Sequence, residues 1–204
     1  MNSTLILASA SPRRRELLAQ AGFTFQVQPS SVPELRRPQE DAIRFATRLA
    51  REKAEEVFAR APSSSAVIVL GADTVVACNG EVMGKPMDAA EATRMLSLLS
   101  GRTHQVVTGV AVVWGPGSTE VAAELTQVTM RTLSAHEIAG YVATGEPMDK
   151  AGAYAIQGYA GRWIPRINGC YFNVVGLPLA LVTSMLEGAG LHHFTKGTAS
   201  AVAR

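Results

Sequence analysis

The sequence predicts a mixed α/β fold, one twisted sheet flanked by helices and arranged as two lobes around a cleft. Two patterns point there. In the first half of the chain, short apolar runs alternate with segments of helical periodicity. Further on, two long strand-like runs are split by a single glycine-proline turn, as in an antiparallel pair. With 204 residues, 47 % of them apolar and 18 % charged, the chain can build one sizeable core. Residues 1–190 are expected to form that unit. Residues 191–204, small and polar, are expected to be a flexible tail.

The elements follow in order. Thr4 to Ala8 reads as a buried strand. Ser11 caps a helix, Pro12 suits its first position and Gly22 stops it. Phe23, Phe25 and Val27 alternate as a second strand, and Pro29 to Pro38 is loop. A long helix runs from about Glu40 to Arg60, with an apolar stripe of Ala42, Phe45, Ala46, Leu49, Ala50 and Val57. After a polar break at Pro62 to Ser65, Val67 to Ala72 reads as a buried strand ending at Asp73.

Asn79-Gly80 is the strongest two-residue hairpin signal in the chain, joining Thr74–Cys78 to Glu81–Gly84. Asp88 and Glu91 form a capping-box pattern for a helix that stops near Gly101. Long strands are expected at His104–Trp114 and Glu120–Thr132. Ser134 and Glu137 cap a helix reaching about Thr144, a glycine-rich stretch covers Gly145 to Gly161, and a last helix spans Pro178 to about Gly188.

A net charge of +2 gives no general attraction for polyanions, so no nucleic-acid partner is expected. No export signal or apolar run of membrane-spanning length is visible, which predicts a cytoplasmic protein without membrane contact. Cys78 and Cys170 have no metal-site spacing and read as free thiols of a reducing compartment.

Four groups of residues carry chemical interest. The first is Ser9-Ala10-Ser11-Pro12 followed by Arg13, Arg14 and Arg15 at a helix start. Cations oppose the helix dipole there by ~0.3–1 kcal/mol each, and a bound phosphate reverses that sign. A solvated basic face is the alternative. The second is Lys53. At ~100° per residue it lies within about 20° of Ala42, inside the apolar stripe. Such a lysine is either paired at a site or reaches past the stripe to solvent.

The third is Asp73-Thr74 at the predicted strand end, where α/β sheets carry ligands. Extending the hairpin pairing sets Thr74 opposite Lys85, so Asp73, Thr74 and Lys85 are expected on one surface. A surface salt bridge would give the same pattern. The fourth is the run from Glu146 to Gly158, where glycines allow close backbone approach and the Gln157 amide offers a donor and an acceptor to a base edge. A purely structural loop fits that run as well. The phosphate-loop, dinucleotide-fold and nucleophile-elbow motifs are absent from the sequence.

Taken together, SASPRR, GADTVV, GKP, SGRTHQVVTGVAV, EPMDKAGAYAIQG and NVVGLPL resemble the Maf family of nucleotide pyrophosphatases, in the family's order, from Leu5 to about Leu186. The resemblance implies a fold similar to inosine triphosphatases and hydrolysis between the α and β phosphates of a nucleoside triphosphate with Mg²⁺ or Mn²⁺. It implies that Asp73 accepts a proton and that Arg13, Thr74 and Gln157 select the base. It also implies site roles for Ser9, Arg14, Glu34, Lys53 and Lys85, and a homodimer. The wording of the motifs is similar to the clade acting on dTTP and UTP. Cys170 and Trp163 depart from the common serine and phenylalanine. On this reading the arginines and lysines offset the triphosphate charge, while Glu34 and Asp73 supply carboxylates to the metal. The alternatives are a pyrophosphatase for a modified or purine triphosphate, and a non-enzymatic regulator of cell division.

Overall fold

A computed structural model describes residues 3–61 and 66–191. The expected break at Pro62 to Ser65 and the tail from His192 to Arg204 lie outside them. Leu191, placed with the tail, still packs on the core, its N–H 2.9 Å from the Leu186 carbonyl oxygen.

Strands β1 (Thr4–Leu7), β2 (Phe25–Val27), β3 (Val67–Cys78), β4 (Glu81–Met83), β5 (Thr103–Gly115), β6 (Ser118–Thr129) and β7 (Arg166–Asn168) form one mixed seven-stranded sheet. Its order is β2-β1-β3-β5-β6-β7, with β4 also on β3. The two pairings of β1 are parallel and the others antiparallel. The turn between β3 and β4 has Asn79 and Gly80 both at positive φ, 50° and 81°, which matches the right-handed twist of the strands it joins.

Helices α1 (Pro12–Gln20), α2 (Ala42–Arg60), α3 (Ala89–Leu99), α4 (Ala135–Ala143), α5 (Tyr171–Val175) and α6 (Leu179–Gly188) cover both faces. Ser11, Asp88 and Ser134 accept from the backbone N–H three residues on, and Ser134 with Glu137 closes a reciprocal box. The expected box of Asp88 with Glu91 does not close, since Glu91 accepts from the Met87 N–H instead of that of Asp88. Helix α2 begins two residues later than expected because Asp41, not Glu40, takes the cap. Strand β7 and helix α5 were not foreseen. No helix among the described residues is long and apolar enough to cross a membrane.

Odd-numbered positions of β3, Val69 and Val75 among them, pack against α2 on one face of the sheet. Even-numbered ones pack with α1 and α6 or with α3 and α4 on the other. Helix α2 lies unusually close to the sheet. A methyl group on Gly109 would overlap the Ala46 carbonyl, and one on Gly71 would overlap that of Ala50. This approach brings the middle of α2 within side-chain reach of the middle of β3. Gly109→Ala is therefore expected to lower stability by ~1–3 kcal/mol through overpacking, read as a shifted urea midpoint at unchanged slope.

Candidate active site

Strand β3 does not end at Asp73, as the sequence reading had it. It continues to Cys78 because β5 pairs with it without interruption from Val69 to Ala77. What ends near Asp73 is the pairing on the opposite edge. There β1 accompanies β3 as far as Leu70, and β4 joins only at Val76. Between them the edge of β3 has no strand partner among the described residues, and a cavity of about 580 Å³ opens at this gap.

Asp73, Thr74 and Lys85 line this one cavity; successive strand residues face opposite sides of the sheet, and the open edge of β3 lets the cavity reach both. The expected pairing of Thr74 with Lys85 is not made, because β4 stops at Met83. Lys85 instead sits with its Nζ 3.6 Å from Glu34 Oε2.

Lys53 rises from α2, its side chain 8 % exposed, and its Nζ lies 2.6 Å from both Asp73 Oδ1 and Glu34 Oε1. The lysine in the apolar stripe is thus paired at a site and does not reach past the stripe to water. Glu34 comes from a loop without regular structure, yet it is held. Arg48 of α2 donates to the Leu35 carbonyl at 2.9 Å and grips Glu40 and Glu52, clamping the loop to the helix. That grip draws the Glu40 carboxyl down to about 2.

Burial pushes the Asp73 carboxyl above the usual carboxylate range, partly offset by the charges of Lys53 and Arg14. Burial also works upward on Glu34, but Lys53, Lys85 and Arg14 outweigh it and hold that carboxyl below its ordinary value. Two neighbouring carboxyls are thereby driven in opposite directions, as acid–base sites require.

Arg14 forms the other wall. Its Nε donates to the Gly176 carbonyl at 2.9 Å, one terminal nitrogen to Thr74 Oγ1 at 2.9 Å and the other to Ser9 Oγ at 3.3 Å. Behind it, Thr74 and Thr108 hydroxyls lie 2.9 Å apart and Thr108 donates to the Asn173 carbonyl at 3.1 Å. Thr108 has spent its proton, so Thr74 donates to Thr108 and accepts from Arg14. Burial lowers the Arg14 guanidinium pKa, while Asp73 and Glu34 pull it back up. Arg13 leans the other way. It makes a forked contact with Asp149, at 2.8 Å to Oδ2 and 3.0 Å to the backbone oxygen, and Lys150 holds Oδ1 at 2.6 Å.

The cavity therefore gathers Ser9, Arg13, Arg14, Glu34, Lys53, Asp73, Thr74, Lys85 and Gln157 from six separate stretches of chain. Gln157 is exposed and lines the cavity beyond the 3-10 turns Glu146–Asp149 and Ala151–Ala153. That run is tied to the Lys85 segment by the Gly152 N–H, 3.0 Å from the Gly84 oxygen.

Sequence reasoning missed the supporting shell of Thr108, Asn173, Arg48 and Asp149. Thr108, Asp149 and Asn173 lie inside motifs already singled out, whereas Arg48 carried no signal. His104, buried with its Nε2 2.8 Å from the Tyr154 hydroxyl, is pushed down to about 4 by burial and stays neutral. Cys78 and Cys170 are free thiols.

Among the described residues no three His, Cys, Asp or Glu side chains gather as a ready-made metal site. Four carboxylates border the cavity, Glu34, Asp73, Glu91 and Asp149, and of these Glu34 and Asp73 lie together, each 2.6 Å from Lys53 Nζ. That donor set suits Mg²⁺ or Mn²⁺, which commonly take one or two carboxylates and fill the remaining positions with substrate phosphates and water.

Residues 4–189 match the family described as Maf-like protein. A dTTP/UTP pyrophosphatase of Koribacter versatilis is 52 % identical over 187 residues, covering 92 % of this chain and 95 % of the relative. A dTTP/UTP pyrophosphatase of Salmonella typhimurium is 53 % identical over 185 residues, covering 91 % and 92 %. Among solved structures, a HAM1 protein from Coxiella burnetii is similar with a TM-score of 0.47 at 13 % identity, covering 91 % of this chain and 99 % of that one.

Proposed function

Because the chain belongs to the Maf-like protein family, we propose that it hydrolyses dTTP and UTP to the nucleoside monophosphate and pyrophosphate. One observation carries the chemistry. A buried carboxyl with a raised pKa, Asp73, stands at the open edge of β3, bound to Lys53 and walled by Arg14.

On this reading the triphosphate lies along Arg13, Arg14 and Lys85, whose charges offset its own. Asp73 accepts the proton of a water molecule whose oxygen attacks the α phosphorus. The bond from that phosphorus to the bridging oxygen breaks, and pyrophosphate leaves with the electron pair. Lys53 holds Asp73 ionised and oriented until the proton arrives. Glu34 and Asp73 would hold a divalent cation, which when bound neutralises phosphate charge. Thr74, which accepts from Arg14 and donates to Thr108, aims Arg14 and keeps one lone pair for the pyrimidine edge. Gln157 offers its amide to the pyrimidine edge.

The test is turnover of pure protein against common and modified triphosphates, with Mg²⁺, with Mn²⁺ and with chelator. Pyrophosphate and monophosphate are expected from dTTP and UTP, and only with metal. Release of inorganic phosphate instead, or faster turnover of a purine triphosphate, would overturn the proposal. Gln157→Ala is expected to reduce the ratio of kcat/KM for dTTP over GTP by ~10-fold or more, since an amide left unpaired by the wrong base is what rejects it. An unchanged ratio removes Gln157 from base selection.

A further inference from the structure

The turn that carries Gln157 has little regular structure of its own, and two side chains fasten it. The carboxylate oxygen Oε1 of Glu146 accepts from the Tyr141 hydroxyl at 2.9 Å and from the Tyr159 backbone N–H at 3.2 Å. The Tyr141 hydroxyl in turn accepts from the Ala155 N–H at 3.3 Å. Gln157 thus sits midway between two backbone N–H groups that end on one tyrosine–carboxylate pair. Tyr141 is 1 % exposed and projects from α4 into the core, edge-on to Trp163 and stacked on Tyr159, so the anchor itself is fixed.

The same carboxylate explains why glycine follows Gln157. Gly158 has an ordinary negative φ, −102°, so backbone freedom does not require glycine there. Space does. A methyl group at position 158 would fall on Glu146 Oε1. The backbone of residue 146 serves a second contact, since its carbonyl accepts from Lys150 Nζ at 2.6 Å, and Lys150 also holds the Asp149 that grips Arg13. One short turn therefore fixes two cavity-lining residues that are far apart in sequence.

Resting on the reading of Gln157 as a base-contacting residue, we infer that Glu146 is a positioning residue for base selection, acting through the turn that carries Gln157. Glu146 is not among the residues lining the cavity, so its loss changes which base is accepted and leaves the rate on the preferred base nearly untouched.

Gly158→Ala is the sharpest probe, because the added methyl displaces a flexible carboxylate and leaves the core alone. Together with Glu146→Ala and Tyr141→Phe it is assayed on dTTP, CTP and GTP beside Gln157→Ala. The expected result is a dTTP preference reduced by ~10-fold or more with kcat on dTTP within about threefold of wild type. Glu146→Gln, which keeps an acceptor oxygen, is expected to retain the preference. In the double variant with Gln157→Ala, the loss should equal that of Gln157→Ala alone, the mark of two residues acting as one unit.

Additive losses, or an intact preference in Gly158→Ala and Glu146→Ala, overturn the inference while leaving the assignment of Gln157 standing. A preference that survives Gln157→Ala overturns the assignment and the inference together. If Glu146→Ala does not fold, as read by its melting temperature, Gly158→Ala and Tyr141→Phe decide the matter.

Discussion

Asp73→Asn is expected to lower kcat by ~10²–10⁴ without unfolding the protein, the range lost when a positioned acid or base is removed. Stability should hold for a physical reason. Burial raises the Asp73 pKa, so the fold disfavours the charged carboxylate relative to the unfolded chain. A neutral side chain of the same shape removes that penalty, and Lys53 keeps Glu34 as its partner. The melting temperature should therefore be equal to or above that of the wild type near neutral pH. In the wild type, kcat should fall toward acid pH as Asp73 takes up a proton. In the asparagine variant that acid limb should vanish along with the activity. Near-wild-type turnover would remove Asp73 from the chemistry, and a collapsed melting transition would make its role structural.

Much of this site was legible in the sequence because its parts violate local rules. A lysine inside the apolar stripe of α2 and two arginines, Arg13 and Arg14, in the first turn of α1 have no local reason to be there, and each marks a partner elsewhere; Arg15 is exposed. Helix starts were readable for the same kind of reason, since a capping oxygen and the N–H it binds are three residues apart. The unread parts depend on pairing between distant stretches. An aspartate is a poor strand residue, so ending β3 at Asp73 followed propensity, and only the uninterrupted ladder with β5 overrides it. The edge gap that exposes both faces of β3 depends on where β1 stops and β4 starts, two events more than sixty residues apart in the chain. Strand β7 and helix α5, of three and five residues, are too short to show a period. The clamp of Arg48 on the Glu34 loop reads locally as one more charged residue on a helix face.

Lys53→Met should have the largest combined effect on stability and rate, and pH should separate its causes. Methionine nearly conserves the length and packing of the lysine stem, so the change isolates the loss of one cation. That cation lies 2.6 Å from two carboxylates, one of them buried. Removing one partner of a buried pair typically costs ~3–5 kcal/mol, because the other charge is left without compensation. Asp73 has an escape, which is to bind a proton. Without Lys53 its folded pKa, already above the unfolded value, must rise further, since Lys53 is the largest influence pulling it down. The folded state then binds more protons than the unfolded state between those two pKa values, so stability falls as pH rises through that window. Below the unfolded pKa the penalty is absent, and above the folded pKa it is complete. Urea unfolding of the variant should accordingly show a larger deficit against wild type at about pH 8.5 than at about pH 5.5. Turnover should drop by ~10² or more at neutral pH, with the acid limb of the rate profile shifted upward, because the proton acceptor is increasingly occupied before water can use it. A stability deficit equal at both pH values would mean that Lys53 contributes only packing, and an unshifted acid limb would mean that the acceptor is not the carboxyl it holds.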